Sequence, residues 1–266
     1  MFSSFNVKLS DKIISNSTFY SSGKNTTDQI KEKTHKDLEK YICTNDVLDG
    51  NLIESDWFPE INADIFLSHS HADEKLVISL AGWLYEKFGL HTFIDSMVWG
   101  YSNNLLKLLD DKYCLNSSKN YSYEKRNIST SHVHMMLSTA LSKMIDKCEC
   151  VFFVNTPNSI TVSENIEKNN HTLSPWIYTE IETTRMIRHR KLSEYRNVNS
   201  IINESAANFS KEREDLKIRY NIPLEDLIDL TDGDLIEWQK QRQQDICSIP
   251  LDKLYEIKDI LHFKKV

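Results

Sequence analysis

Short apolar runs alternate with amphipathic segments in the middle of the chain. Residues 63–67 form an apolar run that ends in polar residues, as a buried strand does, and 91–95 form a second one. Between them, residues 73–88 carry apolar side chains at helical spacing, and Gly89 follows where a left-handed helix cap favours glycine. A strand, a helix and a strand in this order predict two parallel strands joined by a crossover helix.

The same alternation continues towards the end of the chain. Residues 133–147 have the spacing of an amphipathic helix, and 150–154 form a third apolar run. A helix is predicted over 175–190, with Ser174 as its N-cap and Pro175 at its first position. The apolar pattern is weaker after this helix. It predicts a strand near Ile222 or Leu227-Ile228 and helices over 234–243 and 251–261. The pattern predicts an α/β fold, with one parallel sheet flanked by helices.

Polar stretches interrupt these elements. Residues 1–30 are rich in Ser, Asn, Thr and Lys and are interpreted as a loosely attached arm, and 45–62 as a linker in which Trp57 and Phe58 pack on the fold. Three further polar stretches are predicted to be inserted surface loops: 114–130, 161–172 and 197–212. The predicted organisation is an N-terminal extension, 1–60, and an α/β domain with insertions, 61–266.

Charge and composition exclude several classes of protein. The formal net charge is −7 at pH 7, and no long basic stripe is present, so no nucleic-acid partner is expected. The five cysteines include no C-x-x-C pair, which fits a reducing compartment and disfavours a zinc site. No run approaches the roughly 20 apolar residues of a membrane helix, and no signal sequence is visible. We therefore expect a cytoplasmic protein without a membrane partner.

Motifs for several common chemistries are missing from the sequence. It contains no G-x-G-x-x-G, G-x-x-x-x-G-K-[ST], G-x-S-x-G or H-E-x-x-H. This disfavours a Rossmann dehydrogenase and a P-loop NTPase. The pairs His69/His71 and His132/His134 have poor spacing for two ligands on one helix face and no accompanying carboxylate cluster, so no metal site is predicted.

Five segments follow one another in an order that is typical of one family. They are Asp64-Ile65-Phe66-Leu67-Ser68-His69-Ser70-His71-Ala72-Asp73, Phe93-Ile94-Asp95, Trp99-Gly100-Tyr101-Ser102, Cys150 to Asn158, and Ser174-Pro175-Trp176-Ile177-Tyr178-Thr179-Glu180-Ile181. They resemble, in turn, the first-strand box, the second-strand box, the mobile loop, the strand ending in S-P-N and the S-x-W-C-x-x-E-L box of Toll/interleukin-1 receptor (TIR) domains. Ile177 and Ile181 stand where the last box usually has Cys and Leu. The resemblance covers about residues 61–190.

The resemblance implies a flavodoxin-like TIR fold and an enzyme that cleaves the nicotinamide–ribose bond of NAD. It assigns the role of catalytic carboxylate to Glu180. Ser68 and His69 end the first predicted strand, where open α/β sheets bind ligands, and are predicted to bind substrate. Trp99 would stack on a nucleotide ring, and Trp176 would cover the pocket. NAD is then a substrate, and no cofactor is expected.

The spacing of the last segment agrees with this chemistry. Trp176 and Glu180 are four residues apart and share one helix face, whereas Glu182 lies about 200° around the helix from Glu180. In NAD the leaving group is a cationic pyridinium, so little acid catalysis is needed to expel it. A carboxylate beside the ribose would stabilise the oxocarbenium-like centre, as in glycoside cleavage.

Bacterial TIR proteins of antiphage defence, the Thoeris type among them, are similar to this chain. The resemblance implies a cyclic or conjugated ADP-ribose signal that acts on a separate effector protein, and self-assembly through other TIR domains. Two alternatives stay open. One is a non-enzymatic adaptor that acts only by assembly, and the other is an enzyme resembling nucleoside 2-deoxyribosyltransferases.

Overall fold

The computed structural model describes residues 1–14, 17–28, 38–42, 47–162, 170–196 and 220–261. Its strands are β1 (Ser3–Lys8), β2 (Ile65–Ser68), β3 (Thr92–Ile94), β4 (Cys150–Val154), β5 (Thr161–Val162), β6 (Asn170–Thr172), β7 (Tyr220–Asn221) and β8 (Ile228–Thr231). Its α-helices are α1 (Asp11–Ile14), α2 (Ser17–Asp28), α3 (Gly50–Trp57), α4 (Glu74–Phe88), α5 (Ser96–Leu109), α6 (Tyr123–Lys147), α7 (Pro175–Met186), α8 (Asp232–Gln244) and α9 (Pro250–Ile257).

Five of the strands form one parallel sheet in the order β3-β2-β4-β1-β8. The three strands that the sequence predicts at 63–67, 91–95 and 150–154 are β2, β3 and β4, and their parallel pairing is confirmed. Helix α4 crosses from β2 to β3 and ends at Gly89, whose φ of 69° is the predicted left-handed cap. The α/β arrangement is consistent with a flavodoxin-like fold.

The first strand of the chain lies inside this sheet. β1 pairs with β4 on one side and with β8 on the other, and Phe5 and Val7 are fully buried. The interpretation of residues 1–30 as a loosely attached arm is therefore wrong for this strand. Residues on both sides of the predicted boundary at residue 60 share one sheet.

The chain order of the strands explains this position. Flavodoxin-like sheets have the order 2-1-3-4-5. Here β3, β2 and β4 occupy the first three places of that order and β8 the last. The remaining place, between β4 and β8, is filled by β1 from the opposite end of the sequence.

Side chains alternate between the two faces of the sheet and join two apolar clusters. Ile65 and Leu67 of β2 pack with α4, α8 and α9, whereas Phe66 packs with α3, α5 and α6. Helix α2 lies outside α4 and approaches it at two glycines: a Cβ on Gly82 would stand 1.9 Å from the carbonyl oxygen of Phe19, and one on Gly23 would stand 1.9 Å from that of Ile78. This close crossing fixes the segment that follows β1.

Several polar stretches are more regular than predicted. Within 114–130, α6 already begins at Tyr123, and within the predicted linker 45–62, α3 spans Gly50–Trp57. Trp57 and Phe58 are buried, as expected. In the stretch 161–172 the described residues form β5 and β6, which pair with each other. The predicted loop 197–212 lies outside the described residues. In the described part of the chain, no helix has the length and apolar character needed to cross a membrane.

Candidate active site

Helix α7 carries Glu180 to the carboxyl end of β2. Its first turn is capped by Ser174, whose Oγ accepts a hydrogen bond from the backbone nitrogen of Ile177 at 3.3 Å. Ile177 and Ile181 pack with Phe153 of β4, which places Glu180 on the side of the helix that faces the sheet. The Ser68 hydroxyl donates to Oε2 of Glu180 at 2.6 Å, and Glu180 is only 1% exposed. The structure therefore brings together two of the residues that the sequence assigns to the site.

His69 and Asp95 form a second buried pair at the same edge. They follow β2 and β3, which are neighbouring parallel strands. Nδ1 of His69 lies 2.5 Å from Oδ1 of Asp95, and both side chains are completely buried. The carboxylate of Asp95 also accepts from the backbone nitrogen of Ser96 at 2.7 Å and from that of His69 at 3.4 Å.

Burial and Asp95 control the ionisation of Glu180. Loss of hydration raises the pKa of Glu180 well above its ordinary value, and the negative charge of Asp95 raises this pKa further. The hydrogen bond from Ser68 lowers the pKa of Glu180, but by less. Oε1 of Glu180 has no hydrogen-bond partner among the described residues. In this closed conformation burial and the neighbouring Asp95 therefore favour the protonated form of Glu180.

Asp95 also raises the pKa of His69. Burial lowers the pKa of the His69 imidazole, but the charge of Asp95 and the hydrogen bond with it raise this pKa by more, so the net direction is upward. Asp95 therefore favours the charged form of His69 and the neutral form of Glu180.

Trp176 packs against α6 and away from this group. Trp176 is half-buried one turn before Glu180, and its ring lies nearly perpendicular to that of His134 of α6, with ring centroids 5.6 Å apart. It therefore packs on the α6 side, and no contact between Trp176 and Glu180 is recorded among the described residues. The backbone of Trp99 lies inside α5, so the predicted mobile loop at 99–102 is wrong. The side chain of Trp99 lies outside the described part of the structure.

A third link joins the ends of β2 and β4. Asp73 accepts hydrogen bonds from Oγ1 of Thr156 at 2.5 Å and from Nδ2 of Asn158 at 2.8 Å. The segment Thr156-Pro157-Asn158 is thus tied to the turn that follows Ser68 and His69. Asp73 is the residue before α4, so this network also ties the start of α4 to the segment that follows β4.

Sequence reasoning missed Asp95 as a site residue. The signal was present: β2 and β3 were predicted as neighbouring parallel strands, so the polar residues that follow each strand had to meet at one edge. Glu182, by contrast, lies at the surface and pairs with Arg185 at 3.1 Å, as its angular separation from Glu180 predicts. Within the described segments, no group of three or more His, Cys, Asp or Glu residues is arranged to hold a metal ion.

The site thus contains three parts: the carboxyl group of Glu180, the hydroxyl group of Ser68 that holds one of its oxygens, and the buried pair of His69 and Asp95. Such a group can stabilise positive charge once the carboxyl group is ionised and a ligand replaces the surrounding protein contacts. Comparisons of the chain with protein-family models, with curated proteins and with solved structures gave no match.

Proposed function

We propose that this chain is an NAD-consuming enzyme of the TIR type, with Glu180 as its catalytic carboxylate. One observation carries the proposal. Glu180 is buried at the carboxyl edge of a parallel sheet, it is held by Ser68 through Oε2, and its Oε1 has no partner among the described residues. Glutamates on helix surfaces are usually hydrated, so this burial needs a reason beyond folding.

The proposed reaction breaks the bond between the anomeric carbon of the ribose and the pyridinium nitrogen. Nicotinamide leaves as a neutral molecule with the bonding electron pair, and positive charge develops on the anomeric carbon. An ionised Glu180 stabilises this charge. Water, or a hydroxyl group of the same or another molecule, then bonds to the carbon and loses its proton to solvent.

Substrate must displace part of the protein to reach Glu180. Ser68, His69, Asp95 and Glu180 are all buried, so the described conformation is a closed one. We propose that packing against further copies of the chain opens the site, as the TIR resemblance implies. Activity is then expected to rise more steeply than in proportion to protein concentration. Full specific activity of a dilute monomer would contradict this.

The proposed biological role also follows the resemblance. The product would be an ADP-ribose derivative, cyclic or conjugated, that acts on a separate effector protein in antiphage defence. Mass analysis of the products formed from NAD tests both the bond that is cleaved and the fate of the ribose.

The test compares the parent protein with Glu180→Gln and Glu182→Gln at high protein concentration. Losing one electrostatic contact of this kind costs on the order of 3 kcal/mol, about a hundredfold or more in rate. Glu180→Gln should release nicotinamide at least about a hundredfold more slowly, and Glu182→Gln should match the parent within about twofold.

Two results would overturn the proposal. Equal turnover by the parent and Glu180→Gln would remove Glu180 from the reaction. No NAD turnover by the assembled parent would favour the adaptor, or, if a 2-deoxynucleoside is cleaved instead, the deoxyribosyltransferase-like reaction.

A further inference from the structure

A pocket of about 680 Å³ lies between α3, the end of α5 and the first half of α6. Its inner walls include Ile53, Leu109 and Cys114, which are buried, and its rim includes Val47 and Ile128, which are 58% and 61% exposed. Small-molecule sites have volumes of about 300–1,000 Å³ and mostly apolar walls, so this pocket has the size and lining of such a site. Of the described residues that line it, none belongs to the group around Glu180.

One face of α6 gives the pocket its polar side chains. Lys125, Ser129, His132 and Met136 follow one another at helical spacing, so they form one row along the helix, and all four line the pocket. The hydroxyl group of Ser129 is engaged, because it donates to Oδ1 of Asp110 at 2.6 Å. Lys125 is exposed, and no ion pair with it is found in the described part of the chain.

Two carboxylates on the elements around the pocket already have partners. Asp49 caps α3 and accepts from two backbone nitrogens of its first turn at 2.9 and 3.1 Å. Asp110 accepts from Nε of Arg126 at 2.8 Å. Glu124 precedes Lys125 directly and therefore lies about 100° around the helix from it. Lys125 thus adds a positive charge to an apolar pocket, and these carboxylates are turned to other partners or another face.

The wall that follows α5 has an uncommon backbone. Residues Asp110–Cys114 form a single π-helical turn, and its last two residues line the pocket. Arg126 and Ser129 of α6 hold this turn through the carboxylate of Asp110. Turns of this kind are rare and are frequent at functional sites. The backbone of this wall is therefore a second observation, independent of the charge of Lys125, that favours a ligand.

We propose that this pocket binds a small organic anion, with an apolar ring or chain as its body and a single acidic group that pairs with Lys125. The body would cover Ile53, Leu109 and Ile128 and supply most of the affinity, because it removes apolar surface from water. The acidic group would fix its orientation. A polyanion such as a nucleotide fits less well, since the described lining residues include a single lysine and no arginine. The inference goes beyond the proposed function and does not depend on it.

The test is a fluorescence titration of the full chain with two dyes, anilinonaphthalene sulfonate and its neutral counterpart phenylnaphthylamine. Both dyes should bind to one site per chain. Lys125→Met should weaken binding of the sulfonate by about fivefold and change binding of the neutral dye by less than about twofold. Added salt should weaken binding of the sulfonate by the parent protein but not by Lys125→Met.

Lys240→Met is the matched control. It makes the same change at an exposed lysine of α8, which packs on the other face of the sheet, and should leave both dyes unaffected. Equal weakening of both dyes by Lys125→Met would overturn the inference, because a loss of charge alone cannot weaken the neutral dye. Absence of saturable binding of the sulfonate by the folded parent would also overturn it.

Two further variants locate the bound dyes. Met136→Trp fills the pocket from α6 and should weaken both dyes at least about tenfold. If this variant fails to fold, Ile128→Glu at the exposed rim decides, because its added charge should weaken the sulfonate more than the neutral dye. Unchanged binding in the folded variant would place the dyes elsewhere and refute the inference. Sedimentation showing that dimerisation expels the dye would refute it as well, since the pocket would then be a contact between copies. No measurement here uses NAD turnover, so a failure of the proposed function is recognised separately.

Discussion

Glu180→Gln is expected to stabilise the protein progressively as the pH rises above about 5. The pKa of Glu180 is raised in the folded protein, chiefly by burial and then by the charge of Asp95. The folded state therefore keeps a proton that the unfolded chain releases above the ordinary glutamate value of 4.5. A group of this kind supports folding only at low pH, and its contribution is lost as the pH rises towards the folded pKa.

The magnitude follows from the number of protons involved. When the folded state binds one proton more than the unfolded state, the free energy of unfolding falls by about 1.4 kcal/mol for each pH unit. Glutamine resembles the protonated acid in shape, and its carbonyl oxygen can accept from Ser68. The substitution therefore removes this slope and keeps that hydrogen bond. His69 also has a raised pKa and loses stabilising effect with rising pH, but its pair with Asp95 is present in both proteins.

The assay is urea unfolding of the parent and Glu180→Gln at several pH values between about 5 and 7.5. The difference in free energy of unfolding should grow by up to about 1.4 kcal/mol per pH unit. For a protein of this size, each kcal/mol corresponds to about 2–4 °C in Tm. Glu182→Gln is the matched control: its carboxylate is at the surface and paired with Arg185, so its effect should stay within about 0.5 kcal/mol at every pH.

A constant offset would not refute this reasoning, because a buried amide proton without an acceptor could produce one. A difference that stays flat across the pH range would refute it. So would a difference that shrinks as the pH rises, since either result means that Glu180 is ionised in the folded protein.

Further substitutions test the other contacts described above. Ser68→Ala removes the hydrogen-bond donor that favours the ionised form of Glu180, so the acidic limb of the pH profile of kcat/KM for NAD should move to higher pH. A shift of this limb to lower pH would contradict the hydrogen bond between Ser68 and Glu180. Gly82→Ala should cost about 3 kcal/mol or more in urea unfolding, because its Cβ would meet the Phe19 backbone, whereas Gly233→Ala, with only Thr231 Oγ1 at 3.7 Å, should cost nothing. Phe5→Ala should cost about 3–5 kcal/mol if β1 is a core strand, and less than about 1 kcal/mol if it is a loose arm.

The sequence predicted the part of the fold whose apolar pattern is complete. Strands β2, β3 and β4 are short runs in which nearly every residue is apolar, and α4 has a regular apolar face and a glycine cap. The N-cap of α7 at Ser174 was also visible. In these elements the apolar pattern of the sequence matches the buried surroundings in the structure. The order of the elements along the chain was then enough to predict a parallel sheet.

β1 was missed because its pattern is half polar. Of its residues, Phe5 and Val7 face one apolar cluster, whereas Ser4 and Asn6 are buried on the other face. Asn6 donates to Asp229 at 2.7 Å and accepts from Asn155 at 2.9 Å, so its burial depends on two partners far along the chain. The residues around Asn6 in the sequence do not indicate these distant partners. Without them, a half-polar strand would be unstable in the centre of a sheet.

A short helix through Leu105, Leu106, Leu108 and Leu109 was predicted, but the first part of α5, at 96–102, was missed for a different reason. Its apolar residues Tyr101, Leu105 and Leu109 stand four apart and are all buried, which is a helical signal. The resemblance to a mobile loop outweighed that signal in our interpretation of 99–102. The sequence assigned Glu180 and Ser68 to the site, and the structure brings them together. The contact of Asp95 with His69 was not predicted.

The place of β1 in the sheet has a consequence for biosynthesis. Asn6 hydrogen-bonds to Asn155 and Asp229, which are 149 and 223 residues away in sequence. During translation the first strand therefore leaves the ribosome long before either neighbouring strand exists. Contacts between residues so far apart in sequence slow folding. Until β4 and β8 are synthesised, β1 is unpaired and prone to aggregation. The nascent chain should thus depend on chaperones until β8 has emerged, and ribosome-bound chains that stop before residue 228 should remain sensitive to protease at their N-terminal segment.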